Sequence, residues 1–211
     1  MKNLAIILSR LKVFDKPDFT LEQYPTDSEI AFEVLHNADM HNEINDKNML
    51  DLGAGAGILG IGCLLLGAKR VYFVDKDKKA LNILKKNLLL IEKQLSIKLI
   101  DKAVIIEKDV SMIDSKDFKD IDLIVQNPPF GTKNKGIDTM FLKKAMEISS
   151  IVYSFHKFET REYVERIINS NGFKLSALWR FKFLLRNTMS YHTKNKEYID
   201  VGCFKIIKSR M

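Results

Sequence analysis

Asn48-Met49-Leu50-Asp51-Leu52-Gly53-Ala54-Gly55-Ala56-Gly57-Ile58 is the stretch that decides the fold. An apolar run of strand type, Asn48 to Leu52, ends in three glycines at alternate positions. A small-residue apolar stretch then runs from Ile58 to about Leu66 and is closed by Gly67. Strand, glycine turn and helix in that order open a βαβ unit, because glycine lets the backbone turn sharply and approach a ligand closely. Gly53, Gly55 and Gly57 therefore read as a nucleotide-binding loop. A plain tight turn between strand and helix would use the same glycines. The spacing is G-x-G-x-G and Asp51 precedes it, whereas dinucleotide dehydrogenases use G-x-G-x-x-G. A carboxylate at Asp51 repels a pyrophosphate but attracts the cationic amino group of an amino-acid-bearing nucleotide such as S-adenosyl-L-methionine.

Downstream, Val71 to Val74 forms a second strand ended by Asp75, where a carboxylate can grip a ribose diol. An aspartate capping the next helix would stand at the same place. The spacing of Leu81, Leu84, Leu88 and Ile91 makes a helix of Ala80 to Ile91, and Val104 to Ile106 is the third strand. Asp109 follows it and either accepts the exocyclic amine of an adenine or caps a turn. The fourth strand, Ile121 to Val125, runs into Asn127-Pro128-Pro129-Phe130. Each proline fixes its own φ and restrains the residue before it, so the carbonyls of Asn127 and Pro128 are held outward as acceptors. Asn127 adds a side-chain oxygen, and Phe130 offers a ring for stacking. A proline pair also ends strands with no chemistry attached.

A helix through Phe141, Ala145 and Ile148, a strand at Ile151 to Tyr153 and a helix through Tyr163, Ile167 and Ile168 follow, the last closed by Asn171-Gly172. Phe173 to about Phe183 and Tyr198 to Ile207 pair as an antiparallel hairpin. Upstream, Thr26-Asp27-Ser28-Glu29 reads as a capping box that opens a helix through Ile30, Val34 and Leu35, after a turn at Tyr24-Pro25. Alternating apolar and amphipathic stretches give the α/β class, a mostly parallel sheet covered by helices with a C-terminal antiparallel hairpin. Four loops, after strands one to four, then converge on one crevice at the carboxyl edge of the sheet.

With 211 residues, 46% of them hydrophobic, the chain can bury a full core as one domain over 1–211. Residues 1–46 lie ahead of the core at 47–211. Cys63 and Cys203 stand far apart with no C-x-x-C and no apolar N-terminal signal pattern, which points to a reduced, cytoplasmic setting without zinc or disulfides. No stretch is long enough to span a bilayer. A net charge of +7 favours a polyanionic partner. Lys133 and Lys135 follow the diproline turn, and Arg180, Lys182, Arg186, His192, Lys194 and Lys196 cluster about the hairpin. These are the candidate phosphate contacts, and a solvated charged loop would look the same. His156 and His192 read as surface or hydrogen-bonded residues rather than as an acid or base, and Trp179 and Phe181 as core aromatics.

Asp51 to Gly57, Asp75, Asp109 and Asn127 to Phe130, in that order, resemble class I S-adenosylmethionine-dependent methyltransferases of the N6-adenine type. Leu21 to Thr26, Asn127 to Lys133 and Tyr153-Ser154-Phe155-His156-Lys157 narrow the resemblance to the small-subunit ribosomal RNA N6-adenosine methyltransferase family of eukaryotes and archaea. The resemblance implies a Rossmann-like, seven-stranded fold and methyl transfer to RNA. It also implies that Asn127 and the Pro128 carbonyl take the two N6 hydrogens, with Pro129 stiffening the turn and Phe130 stacking on the adenine. Gln23, Tyr24 and Thr26 would close over the methionine end of the cofactor. The family further implies a small zinc-binding activator subunit, adding a strand edge near Val104 to Ile106. No metal is called for in the chain itself.

Methylation of a protein glutamine amide, and of guanine N2, uses a similar Asn-Pro-Pro corner, but Phe130 and the segment from Glu22 to Thr26 argue against both. A nicotinamide dehydrogenase would lack Asp51. A non-catalytic RNA-binding module could dispense with Asp51 or Asn127, and both are present.

Overall fold

Strand β1 (Asn48–Leu52) is buried from Met49 to its end, as a run apolar on both faces must be when helices cover both sides of a parallel sheet. The computed structural model describes residues 3–13, 26–118, 120–131, 135–185 and 197–209. β1 lies between β2 (Arg70–Asp75) and β4 (Leu123–Gln126), parallel to both. β3 (Ala103–Glu107) extends the sheet beyond β2, and β5 (Ile151–Lys157) extends it beyond β4, again in parallel. The hairpin of β6 (Phe173–Leu185) and β7 (Glu197–Lys208) is antiparallel, with β7 inserted next to β5. The strand order is β3-β2-β1-β4-β5-β7-β6. The chain builds outward from β1 to β3 and then returns to β4 on the other flank. Loops leaving β1 and β4 therefore part in opposite directions, which opens a crevice at their carboxyl ends.

One face of the sheet is covered by α1 (Asn3–Leu8), α2 (Ser28–Met40), α3 (Ile58–Leu65) and α4 (Lys78–Leu95). Their Leu8, Leu35, Ile61 and Leu84 pack with Met49, Phe73 and Val125 of the strands. The other face carries α5 (Ile137–Ile148) and α6 (Arg161–Ser170), whose Leu142 and Ile168 pack with Leu50, Leu52, Ile124 and Ile206. Strand alternation assigns the two sets, since neighbouring residues of one strand point to opposite faces. Among the described residues, no helix is long and apolar enough to cross a membrane.

The α/β class, the parallel sheet and the terminal hairpin agree with the sequence expectation, and three local readings do not. α1 had no counterpart there; it is six residues long and buries Leu4 and Leu8. β5 continues past Tyr153 to Lys157, so Ser154 and His156 are buried strand residues. His156 is thus hydrogen-bonded and fully covered rather than at the surface. Finally, Asp27, not Thr26, caps α2, its carboxylate accepting the Glu29 N–H at 2.9 Å. Thr26 is left for another task. Trp179 and Phe181 do pack inward, stacked on Tyr153 and tilted against Phe155.

Candidate active site

The chain leaves β1 through Gly53, Gly55 and Gly57, all at positive φ. Gly53 and Ala54 donate their N–H groups to the Val74 carbonyl at 2.8 and 3.0 Å, which pins the loop to the end of β2. A Cβ built on Gly55 meets nothing within 4 Å, so this part of the loop faces open space of the kind a nucleotide fills. A Cβ on Gly60 would lie 2.2 Å from the Phe73 ring and 2.9 Å from Asp51 Oδ2. Glycine at that position lets the first turn of α3 settle on Asp51, and the Gly60 N–H donates to that oxygen at 2.8 Å.

Asp51 is 2% exposed. Burial, opposed by the Gly60 hydrogen bond and reinforced by the nearby Asp75 charge, pushes its carboxyl up to about 7. Such a group is ready to be ionised by an arriving cation. Asp75 ends β2 and accepts the Gly55 N–H on one oxygen and the Asp77 N–H on the other, both at 2.8 Å. Burial raises its carboxyl too, against those two hydrogen bonds. Each oxygen of Asp75 accepts one hydrogen bond there and retains capacity for a hydroxyl. Asp109 stands after β3 at the same edge and caps a short 3-10 turn, accepting the Ser111 N–H at 2.9 Å and hydroxyl at 2.7 Å. Its second oxygen faces Lys76 Nζ at 3.5 Å. The Ser111 hydroxyl leads the interactions that hold the Asp109 carboxyl below the usual carboxylate range. Of the two uses open to it from the sequence, turn capping is in place.

Asn127 follows β4, and its Nδ2 donates to Thr26 Oγ1 at 3.0 Å across 101 residues of sequence. Thr26 is 6% exposed. In this orientation its hydroxyl accepts from the nitrogen end of the amide, and the oxygen end is the acceptor. The sequence placed Thr26 near the cofactor, but it gave no sign of this bond. Pro128 and Phe130 are buried and Pro129 half-buried. The Phe130 ring is 6% exposed and meets the Phe183 ring edge-on at 6.2 Å. It anchors the turn into the core, and stacking on a base requires that ring to be uncovered.

The basic candidates divide. Lys135 and Lys182 are exposed. Arg180 is already paired with Asp200 at 2.6 Å and lies 4.5 Å over the Phe158 ring. Gln23, Tyr24, Lys133, Arg186, His192, Lys194 and Lys196 lie outside the described residues.

Two features escaped the sequence reading. Asn87 of α4 is fully buried, donating to the carbonyls of Lys12 and Ala56 at 2.9 Å and accepting the Lys12 N–H at 2.8 Å. It ties the glycine loop to the chain just ahead of the segment bearing Gln23 and Tyr24. A polar residue on the apolar stripe of Leu84, Leu88 and Ile91 was its only sign. The second is a polar chain of Gln126, Ser154 and His156 on the opposite face of the sheet.

Residues 25–171 match the family described as conserved hypothetical protein 95. The rRNA N(6)-adenosine-methyltransferase METTL5 of Danio rerio is 34% identical over 206 residues, covering 95% of both chains. The chain belongs to the METTL5 family. The Drosophila melanogaster member is 31% identical, over 97% of this chain and 95% of its own. A crystal structure from Pyrococcus horikoshii, provisionally described as an RNA methyltransferase, superimposes with a TM-score of 0.85 at 36% identity, covering 99% of this chain and 98% of that one. The magnesium protoporphyrin IX methyltransferase of Synechocystis, solved with bound SAM, shares the fold at 12% identity and a TM-score of 0.65.

Proposed function

We propose that the chain, acting as one methyltransferase domain over 1–211, transfers a methyl group from S-adenosyl-L-methionine to N6 of an adenosine in small-subunit ribosomal RNA. The observation that carries this reading is the Thr26 to Asn127 hydrogen bond. It restrains the Asn127 side chain at the same sheet edge as the glycine loop and Asp51, in a family whose named members include rRNA N(6)-adenosine methyltransferases. The donor set fits the cofactor: open space over Gly55, a buried acid at Asp51 that an ammonium would ionise, and Asp75 for ribose hydroxyls. When bound, the sulfonium supplies an activated methyl group with its own neutral leaving group.

Asn127 Oδ1 and the Pro128 carbonyl each accept one N6 hydrogen, which draws the nitrogen lone pair out of conjugation with the ring and aims it along the line of attack. The N6–C bond forms as the C–S bond breaks, and the positive charge passes to N6. The extra N6 proton then leaves to water, so no strong base is needed. The work of these residues is positioning and exclusion of water. Lys135 and Lys182 offer exposed charge for phosphates. The enzyme is assigned to the cytoplasm.

The family's zinc-binding activator fits the free edge of β3. That strand is half-buried along most of its length and has β2 as its sheet neighbour, while Ile97, Ile100 and Met112 nearby are 39%, 40% and 70% exposed. A partner strand would complete the ladder.

Incubation with methyl-labelled cofactor and total RNA, followed by nucleoside analysis, tests the reading. Label in N6-methyladenosine of small-subunit rRNA is the expected result. Label in N2-methylguanosine or in protein glutamine would overturn it.

A further inference from the structure

The chain of Gln126, Ser154 and His156 lies on the face of the sheet away from Asn127's partner Thr26, at the carboxyl ends of β4 and β5. All three side chains are fully buried. Gln126 and Ser154 face each other in the sheet register, and Gln126 Nε2 donates to Ser154 Oγ at 2.8 Å. Ser154 Oγ lies 2.7 Å from His156 Nε2. With Ser154 accepting from Gln126, its own hydrogen goes to Nε2, so the imidazole carries its proton on Nδ1. Nδ1 faces Asp138 Oδ2 at 3.5 Å, from the first turn of α5. That separation is slightly long for a hydrogen bond, and Nδ1 makes no other bond among the described residues. The ring is fixed by Phe204, which meets it edge-on at 5.5 Å.

The two ends of this chain have a particular place in the sequence. Gln126 immediately precedes Asn127, and Asp138 opens the helix that follows the acceptor turn. We propose that His156 is a positioning residue: by joining Gln126 and Ser154 to Asp138, it fastens both ends of the chain that carries Asn127, Pro128 and Phe130, and so sets where the acceptor oxygens stand. This inference rests on the reading of Asn127 as the N6 acceptor, and it gives buried polar groups on the far side of the sheet a part in that geometry. A buried imidazole bonded on one side only is costly; closing the Asp138 contact during substrate binding recovers that cost and draws the start of α5 toward β5.

The test uses the full chain with His156→Phe, which keeps a ring against Phe204 but removes both nitrogens. The expected result is a kcat lower by about tenfold to a hundredfold, the range that a small misplacement of reacting groups produces. The KM and Kd for S-adenosyl-L-methionine stay within about twofold of wild type, because the glycine loop lies elsewhere. Amide exchange at Asn127, Phe130 and Gly131 speeds up while β1 and β2 keep their protection. Asp138→Asn retains an acceptor for Nδ1 and keeps wild-type kcat, whereas Asp138→Leu reproduces the loss. Should His156→Phe fail to fold, Ser154→Ala and Asp138→Leu break the chain at its two sides and carry the same expectation. A kcat within about twofold of wild type for these variants, with unchanged exchange at Asn127, Phe130 and Gly131, overturns the proposal, as does a loss confined to cofactor KM. If the wild-type protein transfers no methyl group to adenosine, the functional reading fails, and the exchange measurement alone then decides whether His156 fastens the turn.

Discussion

Asp51 shows how a single side chain can set both the stability and the ligand response of this protein. Its carboxyl is pushed up to about 7, chiefly by burial, from an unfolded value of 3.8. The folded, cofactor-free protein therefore binds a proton that the unfolded chain releases above pH 4, and this group's contribution to stability is lost as pH rises from about 4 through about 7. An ammonium beside it favours the ionised form and reverses the penalty. Cofactor affinity measured by calorimetry should therefore rise by about tenfold between pH 6 and pH 7.5, following the ionised fraction of Asp51. Asp51→Asn should flatten that dependence, weaken binding at pH 7.5, and raise the melting temperature of the cofactor-free protein at pH 8. A pH-independent wild-type affinity would count against the assignment of Asp51 to the amino group. Thr26 carries a separate prediction. Thr26→Val removes the hydroxyl that accepts from Asn127 Nδ2 at 3.0 Å and so removes one restraint on the amide. One such bond is worth about 1 to 1.5 kcal/mol, or roughly tenfold in kcat, with cofactor Kd nearly unchanged. The residue types at Asp51, Asp75 and Asn127 were legible in the sequence, because each ends or follows an apolar strand. The role of Thr26 was not, since Thr26-Asp27-Ser28-Glu29 satisfies capping rules at either of two adjacent positions. Only a contact 101 residues away separates them.

At the scale of elements, α4 ties the glycine loop to the N-terminal chain at Lys12 through one polar residue. Its buried stripe of Leu81, Leu84, Leu88 and Ile91 follows the helical period that the sequence displays. Asn87 interrupts the stripe and satisfies three backbone groups, two at Lys12 and one at Ala56. Asn87→Leu keeps the volume but strands those groups in the interior, a loss of about 1 to 3 kcal/mol per unsatisfied group in the worst case. The glycine loop and the N-terminal segment should then separate. Steady-state kinetics should show a raised cofactor KM with kcat little altered, the reverse of the pattern expected for His156→Phe. Equal kcat losses in the two variants would mean that both act through general destabilisation. β5 illustrates why element ends were harder to read than element types. Ser154 and His156 dilute the apolar run after Tyr153, and only their mutual bonding with Gln126 makes them acceptable inside a strand. α1 escaped notice because six residues are too few to display a helical period.

The whole molecule is organised by the reversal between β1 and β4; the order of apolar and amphipathic stretches gives the parallel sheet, and the reversal itself comes from the pairing of β4 with β1. Once β1, β2 and β3 build outward and a fourth parallel strand must return beside β1, the loops that carry Asp51, Asp75, Asp109 and Asn127 share one edge. Neither the insertion of β7 between β5 and β6 nor the identity of the free edges is encoded locally; both come from long-range pairing. The β3 edge has a further consequence. Its outer ladder lies beside exposed Ile97 and Ile100, a combination that invites another chain. If a partner strand docks there, exchanging Ile97 and Ile100 for glutamate should leave the isolated fold intact, since both side chains are more than a third exposed. Association with that partner, read by co-purification and by the rise in melting temperature on mixing, should be lost. Cofactor binding by the isolated variant should match wild type, because Asp51 in β1 and the glycine loop that follows it lie two strands away from that edge. Retention of a stable complex by the double variant would move the partner to a different surface, and impaired cofactor binding without the partner would show that these isoleucines support the fold itself.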